Sequence, residues 1–224
     1  ALAEQVASVA AREASATGLH VTFAPMIDLS RDSRWGRCME STGEDPWLNA
    51  RMAESMVRGF QGDNIAQKGK MASCIKHFAA YGAVQAGRDY NVTELSEHTL
   101  FEDYLVSYRA AVKAGASMVM TAFNTIDRKP CTTNRRLLRA ILREDMGFDG
   151  VVMTDWYSTN PRQGSNALAI AAGNDLIMPG GRYFKWQILW GLRTGKVSRQ
   201  QLRNCCANVV KSILDSATQR EFIG

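Results

Sequence analysis

Short, near-continuous apolar runs, each separated from the next by helical repeats, constrain this chain more than any other feature. LHVTFAP, MASCIKHF, ASMVMTAFN and FDGVVMTDW are the longest of them, and DLIM is a fifth. A strand that is apolar at almost every position has no wet face, so it belongs in a parallel sheet covered on both sides. Strands are therefore expected at 19–25, 71–76, 117–122, 150–154 and 175–178. Helical periodicity fills the intervals: residues 1–16 with Gly18 as the stop, 47–61, a long repeat capped by Ser96, and one from Thr133 or Asn134 to Asp145 ended by Gly147. Further helices are expected at 164–173, 184–194 and 198–217, the last with Ser198 and Gln201 as a capping box. The class is α/β. No Gly-rich phosphate loop follows any strand, and polar residues gather at the strand C-termini, which favours a (β/α) barrel with its site at that rim over an open doubly wound sheet. Five strands cannot close eight, so strands escape the reading or the chain is part of a larger body. It opens in mid-architecture on a helix, without an initiator Met.

Composition removes several function classes. At 224 residues and 46% hydrophobic, the chain has the makeup of a folded globular domain. No apolar run reaches the roughly 18 residues of a spanning helix, so no membrane partner is expected. Glu4, Arg12 and Glu13 make the opening segment a helix rather than a signal peptide. The net charge of +5 is uneven: residues 1–100 carry 10 basic and 12 acidic side chains, residues 101–224 carry 17 and 10. The excess does not read as a nucleic-acid surface, because Arg135, Arg136, Arg139 and Arg143 interleave with Leu137, Leu138, Ile141 and Leu142 as the solvated face of one helix. Five cysteines, odd in number and without paired spacing, together with three scattered histidines, point to no metal site, no disulfide framework and a reducing, cytoplasmic setting.

Chemistry is expected at the strand ends, where Asp28, Lys76 with His77, Asn124, and Asp155 with Trp156 stand. Each has an ordinary structural reading. Asp28 and Asp155 suit helix caps, Lys76 suits a structural ion pair, and His77 suits a satisfied core position. What raises them together is that four of about five strands deliver a polar group to one rim. The long segment DLSRDSRWGRCMESTGEDPWL adds Arg31, Arg34 and Arg37 beside Asp32, Glu40, Glu44 and Asp45, most of which are expected to pair and stiffen the loop. Trp35 and Trp47 in it are either flat faces for sugar rings or packing anchors.

The strings APMIDLSRDSRWGRCMESTGEDPWL, IKHFAAYG with AGRDYN, VMTAFNTIDRKPCTTNRRLLRAILREDMGFDG and VVMTDW, in this order, resemble the first domain of family 3 glycoside hydrolases, most of all the bacterial β-glucosidases. The resemblance runs from about residue 18 to about residue 215. It implies a (β/α)8 TIM-like barrel, incomplete at its N-terminal strands, with residues 1–224 forming one partial barrel domain. It implies Asp155 as catalytic nucleophile, with Trp156 lining the sugar site and Arg37, Lys76 and His77 holding sugar hydroxyls. Lys76 and Arg37 are expected to keep the Asp155 pKa low. Phe123 takes a position that is often Tyr in the family, where a hydroxyl contacts the nucleophile. The His-Asp loop of the family's N-acetylglucosaminidases is replaced here by AAYGAVQAG, which disfavours that subgroup. A further sugar-binding Asp on the first strands and the acid/base Glu of an α/β sandwich domain have no counterpart in these residues.

The leading expectation is a retaining β-glycosidase acting on terminal non-reducing β-D-glucosyl or related residues, with no cofactor. This chain supplies the nucleophile and glycone ligands, and the remaining barrel segment and sandwich domain supply the rest. Glu40, Glu44 and Asp89 are the internal carboxylates that could stand in for the acid/base, and each is expected to take a structural partner among the loop charges instead. Two alternatives stand beside it: a non-catalytic sugar-binding or scaffold remnant, and a Schiff-base lyase using Lys76.

Overall fold

The structure, a computed structural model, describes residues 2–159 and 165–216. Its centre is a four-stranded, all-parallel sheet in the order β1 (Val21–Thr22), β2 (Ala72–Phe78), β4 (Met118–Thr121) and β7 (Val151–Met153). Sequence neighbours in this sheet are spatial neighbours, with Val21 opposite Ala72, Cys74 opposite Met118 and Met118 opposite Val151. Between them run α1 (Leu2–Ala16) ahead of β1, α2 (Pro46–Gln61) between β1 and β2, and α4 (Val106–Lys113) between β2 and β4. A ten-residue π-helix (Arg136–Asp145) joins β4 to β7.

The alternation of side chains explains why the strands look apolar throughout. Ile75, Val119 and Val152 face the helical layer, where they pack with Val57, Tyr108, Leu138 and Leu142. Cys74, Met118, Met120, Val151 and Met153 face the other way and form a second cluster with Val21, Leu176, Met178 and Val209. Both faces are therefore dry, as a parallel sheet requires. The helices start where their sequences allow: Asp45 accepts from the amide of Leu48 with Pro46 in the first turn, and Ser198 and Gln201 form the reciprocal capping box of α7 (Arg199–Leu214). α1 crosses α2 at Gly59, where an added Cβ would collide with the Glu4 carbonyl and the Ala7 methyl.

Several expectations need correction. The expected strand at 175–178 is a single parallel bridge between Met153 and Leu176, because Pro179 and two glycines follow at once. The expected strand at 19–25 is two paired residues plus a bridge from Met26 to Lys76. The long repeat after Ser96 is three pieces: α3 (Glu97–Thr99), a π-turn at Leu100–Tyr104, and α4. A second small sheet was not anticipated: β3 (Val92–Thr93) pairs in parallel with β5 (Thr125–Ile126), which turns at Asp127 and Arg128, both at positive φ, into β6 (Lys129–Pro130). Arg143 does not lie on a solvated face. It donates to Asp175 and to the carbonyls of Phe148 and Gly150, and clamps the entry to β7. The start of the 164–173 helix and the end of the 198–217 helix fall outside the described residues; the described helices are α5 (Asn166–Ala172), α6 (Arg182–Arg193) and α7. Among the described residues the sheet does not close.

Candidate active site

Three strand ends build the site. The chain leaving β1 is tied to β2 by the Ile27 amide, which donates to the Lys76 carbonyl at 2.8 Å, and this sets Asp28 beside His77. Asp28 Oδ2 accepts the backbone amide of His77 at 3.0 Å and lies 2.8 Å from the ring Nδ1, while the Tyr108 hydroxyl approaches Oδ1 at 3.4 Å. The other ring nitrogen, Nε2, lies 3.5 Å from Asp155 Oδ2. Asp155 follows β7. Its rim is held by the segment after the Leu176 bridge: the Thr154 hydroxyl accepts from the Met178 amide, and the Tyr157 amide donates to the Met178 carbonyl. Asp155 Oδ1 accepts the Trp156 amide at 2.6 Å.

A cavity of about 170 Å³ opens at this rim. Arg37, Lys76, His77 and Asp155 supply its polar wall, Phe23, Met120, Met153 and Met178 its apolar wall, and Trp156 its edge. Trp156 and Tyr157 are about half exposed and meet edge to face at 6.1 Å. Of the residues expected in the site, Arg37, Lys76, His77, Asp155 and Trp156 thus share one cavity. Phe123 does not line it and packs against Tyr81 and Tyr90. Asn124 is buried away from it, donating to the Ala79 carbonyl and the Thr93 hydroxyl.

Arg37 reaches the cavity from the long loop. Its guanidinium is held by both oxygens of Glu40 at 2.6 and 2.8 Å and sits over the Tyr81 ring. The rest of the loop pairs largely as its composition suggests. Arg34 takes Asp32, and Arg31 reaches out to Asp103. Trp35 is a packing anchor, fully buried, with its indole N–H on Asp89; Trp47 is exposed. Glu40 and Asp89 therefore do have structural partners.

The electrostatics correct one expectation. The Asp155 carboxyl is pushed above the ordinary carboxylate range, because burial outweighs the opposing pull of His77, the Trp156 amide, Arg37 and Lys76. Nearby cations reduce that rise without reversing it. Glu40 moves the other way, held below its usual value by the Arg37 pair.

The sequence reading placed one contributor without its role and missed another. Asp28, expected among the strand-end polar groups with a helix cap as its ordinary reading, clamps His77 instead. Tyr81, unremarked in the sequence, presents its ring edge to edge-on neighbours His77 and Trp35, with centroids 5.3 and 5.2 Å away. The close approach of Gly82 to the Leu29 carbonyl, which leaves no room for a Cβ, brings this segment against the first strand end.

A buried carboxylate and an imidazole at the C-terminal ends of parallel strands thus share one cavity with Lys76 and with Arg37 from the long loop, the rim at which α/β domains of this kind carry their sites. Residues 1–211 match the family model described as the glycosyl hydrolase family 3 N terminal domain, and the chain belongs to that family. It is 39% identical over 215 residues to a periplasmic beta-glucosidase of Salmonella typhimurium, a match covering 92% of this chain and 28% of that protein. It is 38% identical over 158 residues to a beta-xylosidase of Formosa agariphila, covering 69% of this chain and 22% of the other. The crystal structure of a beta-glucosidase from Listeria innocua in complex with glucose superposes with a TM-score of 0.92 at 40% identity, covering 97% of this chain and 32% of that one. The chain thus spans under a third of these relatives.

Proposed function

We propose that this chain is the nucleophile-bearing part of a retaining β-glycosidase that releases terminal non-reducing β-D-glucosyl or closely related residues. The observation that carries the reading is the placement of Asp155, buried at a strand end and faced by His77 in a cavity that also holds Lys76 and Arg37. In this reading the Asp155 carboxylate attacks the anomeric carbon as that carbon's bond to the aglycone oxygen breaks, and the proton donor protonates the departing oxygen. Water, deprotonated by the same group, then attacks the anomeric carbon and frees both the sugar and the Asp155 carboxylate. Arg37 and Lys76 hold glycone hydroxyls through charge-assisted bonds, and His77 through a hydrogen bond at Nε2, contacts that can tighten as the transition state forms. Trp156 borders the entry.

The proton donor is not assigned to this chain, since Glu40 and Asp89 are engaged by Arg37 and Trp35. We assign it to the part of the parent protein beyond these residues, an α/β sandwich domain by family resemblance. The four-stranded parallel sheet is likewise proposed to be half the strands of a (β/α)8 barrel, a reading supported by its strand order and its two dry faces. Both a glucosidase and a xylosidase stand among the similar proteins, and the glycone preference follows the hydroxyl contacts rather than the fold. A Schiff-base lyase gains no support, because Lys76 lines the cavity as one of several polar groups gathered around Asp155.

Proton NMR of the first sugar released from an aryl β-glucoside by the full-length protein tests the mechanism. The β anomer is expected first, with mutarotation following. Initial release of the α anomer would overturn the retaining reading.

A further inference from the structure

Asp28 is the least explained polar group of the rim. Its side chain is fully buried and it takes no part in glycone contact, since it does not line the cavity. Burying a carboxylate is costly unless every acceptor is used. Here two donors converge on it, the His77 amide and the Tyr108 hydroxyl, and the His77 ring Nδ1 lies 2.8 Å from the same oxygen that takes the amide. An ionised carboxylate only accepts, so a hydrogen bond at this distance puts the proton on Nδ1 and leaves Nε2 for the cavity.

The strand end does not need Asp28 for its own cohesion. The Ile27 amide already bonds the Lys76 carbonyl, and the Ile27 carbonyl is taken by Asn49 Nδ2 and by the Ser107 hydroxyl, each at 3.0 Å. What the carboxylate adds is orientation. One oxygen grips both the main chain and the ring of the same residue, which fixes the imidazole about its side-chain torsions and points Nε2 at Asp155. Tyr81, edge-on to the same ring at 5.3 Å, closes another side.

We propose that Asp28 is a positioning residue of the hydrolytic site, holding His77 as the Nδ1–H tautomer with Nε2 directed to Asp155 and the cavity. It rests on the assignment of His77 to glycone binding made above. Asp28 touches no substrate and acts only through His77.

The test uses the full-length protein with ¹⁵N-labelled histidine, the His77 signals being identified by their loss in His77→Ala. Wild type is expected to show a protonated Nδ1. Asp28→Leu, which fills the space without an acceptor, is expected to lose that signature and to lower kcat/KM about 10–100-fold, the usual scale for a histidine's outer partner. Asp28→Asn is the conservative rescue. Its carbonyl oxygen can take both His77 donors while its amide donates to the Tyr108 oxygen, so tautomer and most activity should return. An unprotonated Nδ1 in wild type overturns the proposal even if Asp28→Leu does not fold. So does an unchanged tautomer in Asp28→Leu, or an Asp28→Asn variant as impaired as Asp28→Leu. The spectrum reads His77 whether or not glycosides are cleaved, so an inactive wild type with the expected signature would sink the glycosidase reading and leave Asp28 standing.

Discussion

The site contains two carboxylate-to-base pairs of almost equal geometry and opposite character. Asp28 and His77 meet at 2.8 Å with side chains essentially sealed from solvent, whereas Glu40 and Arg37 meet at 2.6 Å with 40% and 25% of their side chains exposed. Distance does not rank them; burial does. Water and salt screen the exposed pair, so its net worth falls toward the 0–1 kcal/mol of surface ion pairs, and Arg37 can trade Glu40 for a sugar hydroxyl at little cost. The buried pair has no solvent to fall back on, so its geometry is fixed before substrate arrives. One strand end is thus pre-organised, while the loop beside it remains exchangeable.

The largest effect should come from Asp155, which no neighbour can replace. Asp155→Asn is expected to reduce kcat of the full-length protein by about 10⁴-fold or more, the scale of nucleophile loss. The same change should raise thermal stability at neutral pH. A carboxyl whose folded pKa is raised contributes stability that is full below its unfolded pKa and lost as pH rises through the folded value, so above that value the ionised Asp155 is a burden that Asn removes. Parallel activity and melting measurements check both signs.

Lys76→Ala comes next, with a loss of roughly 10²–10³-fold in kcat/KM, typical of removing one preorganised charge-stabilising group. The loss should persist with activated aryl leaving groups. If only poor leaving groups were affected, Lys76 would be donating a proton rather than holding the glycone.

The pH profile sharpens the contrast within the site. Because burial lifts Asp155, the acid limb of kcat/KM should lie above the ordinary Asp value of about 3.9. A limb at or below that value would mean that His77, Lys76 and Arg37 together outweigh desolvation.

Glu40→Gln should have the smallest effect, under tenfold in kcat/KM and within about 1 kcal/mol of wild-type stability, with the difference shrinking as salt is added. A loss as large as that for Lys76 would erase the distinction between the buried and exposed pairs.

How much of this is written in the sequence depends on the range of the interaction that decides it. β2, β4 and β7 are legible because dry faces on both sides demand uninterrupted apolar runs, and Lys76, His77 and Asp155 are legible as the polar residues that end them. The segment 175–178 looked equally strand-like, but its neighbours Pro179, Gly180 and Gly181 limit it to one bridge. The π-turn at Leu100–Tyr104 and the π-helix before β7 share the helical apolar repeat, so periodicity alone does not distinguish them. Asp28 was placed among the strand-end polar groups, but its role was not legible because its partner lies 49 residues away, and Phe123 was grouped with the site although its ring turns to Tyr81 and Tyr90. The lift on Asp155 was missed for a related reason: cations can be counted along a chain, but desolvation exists only once the chain has folded.

The central claim, that the carboxylate ending β7 carries the sugar, is tested most directly by trapping the intermediate. Full-length protein incubated with a 2-deoxy-2-fluoro-β-glucoside bearing an activated leaving group, then digested and sequenced by mass spectrometry, should carry one fluoroglucosyl group on the peptide containing VVMTDW, on Asp155. A label on any other carboxylate of the protein would contradict the account.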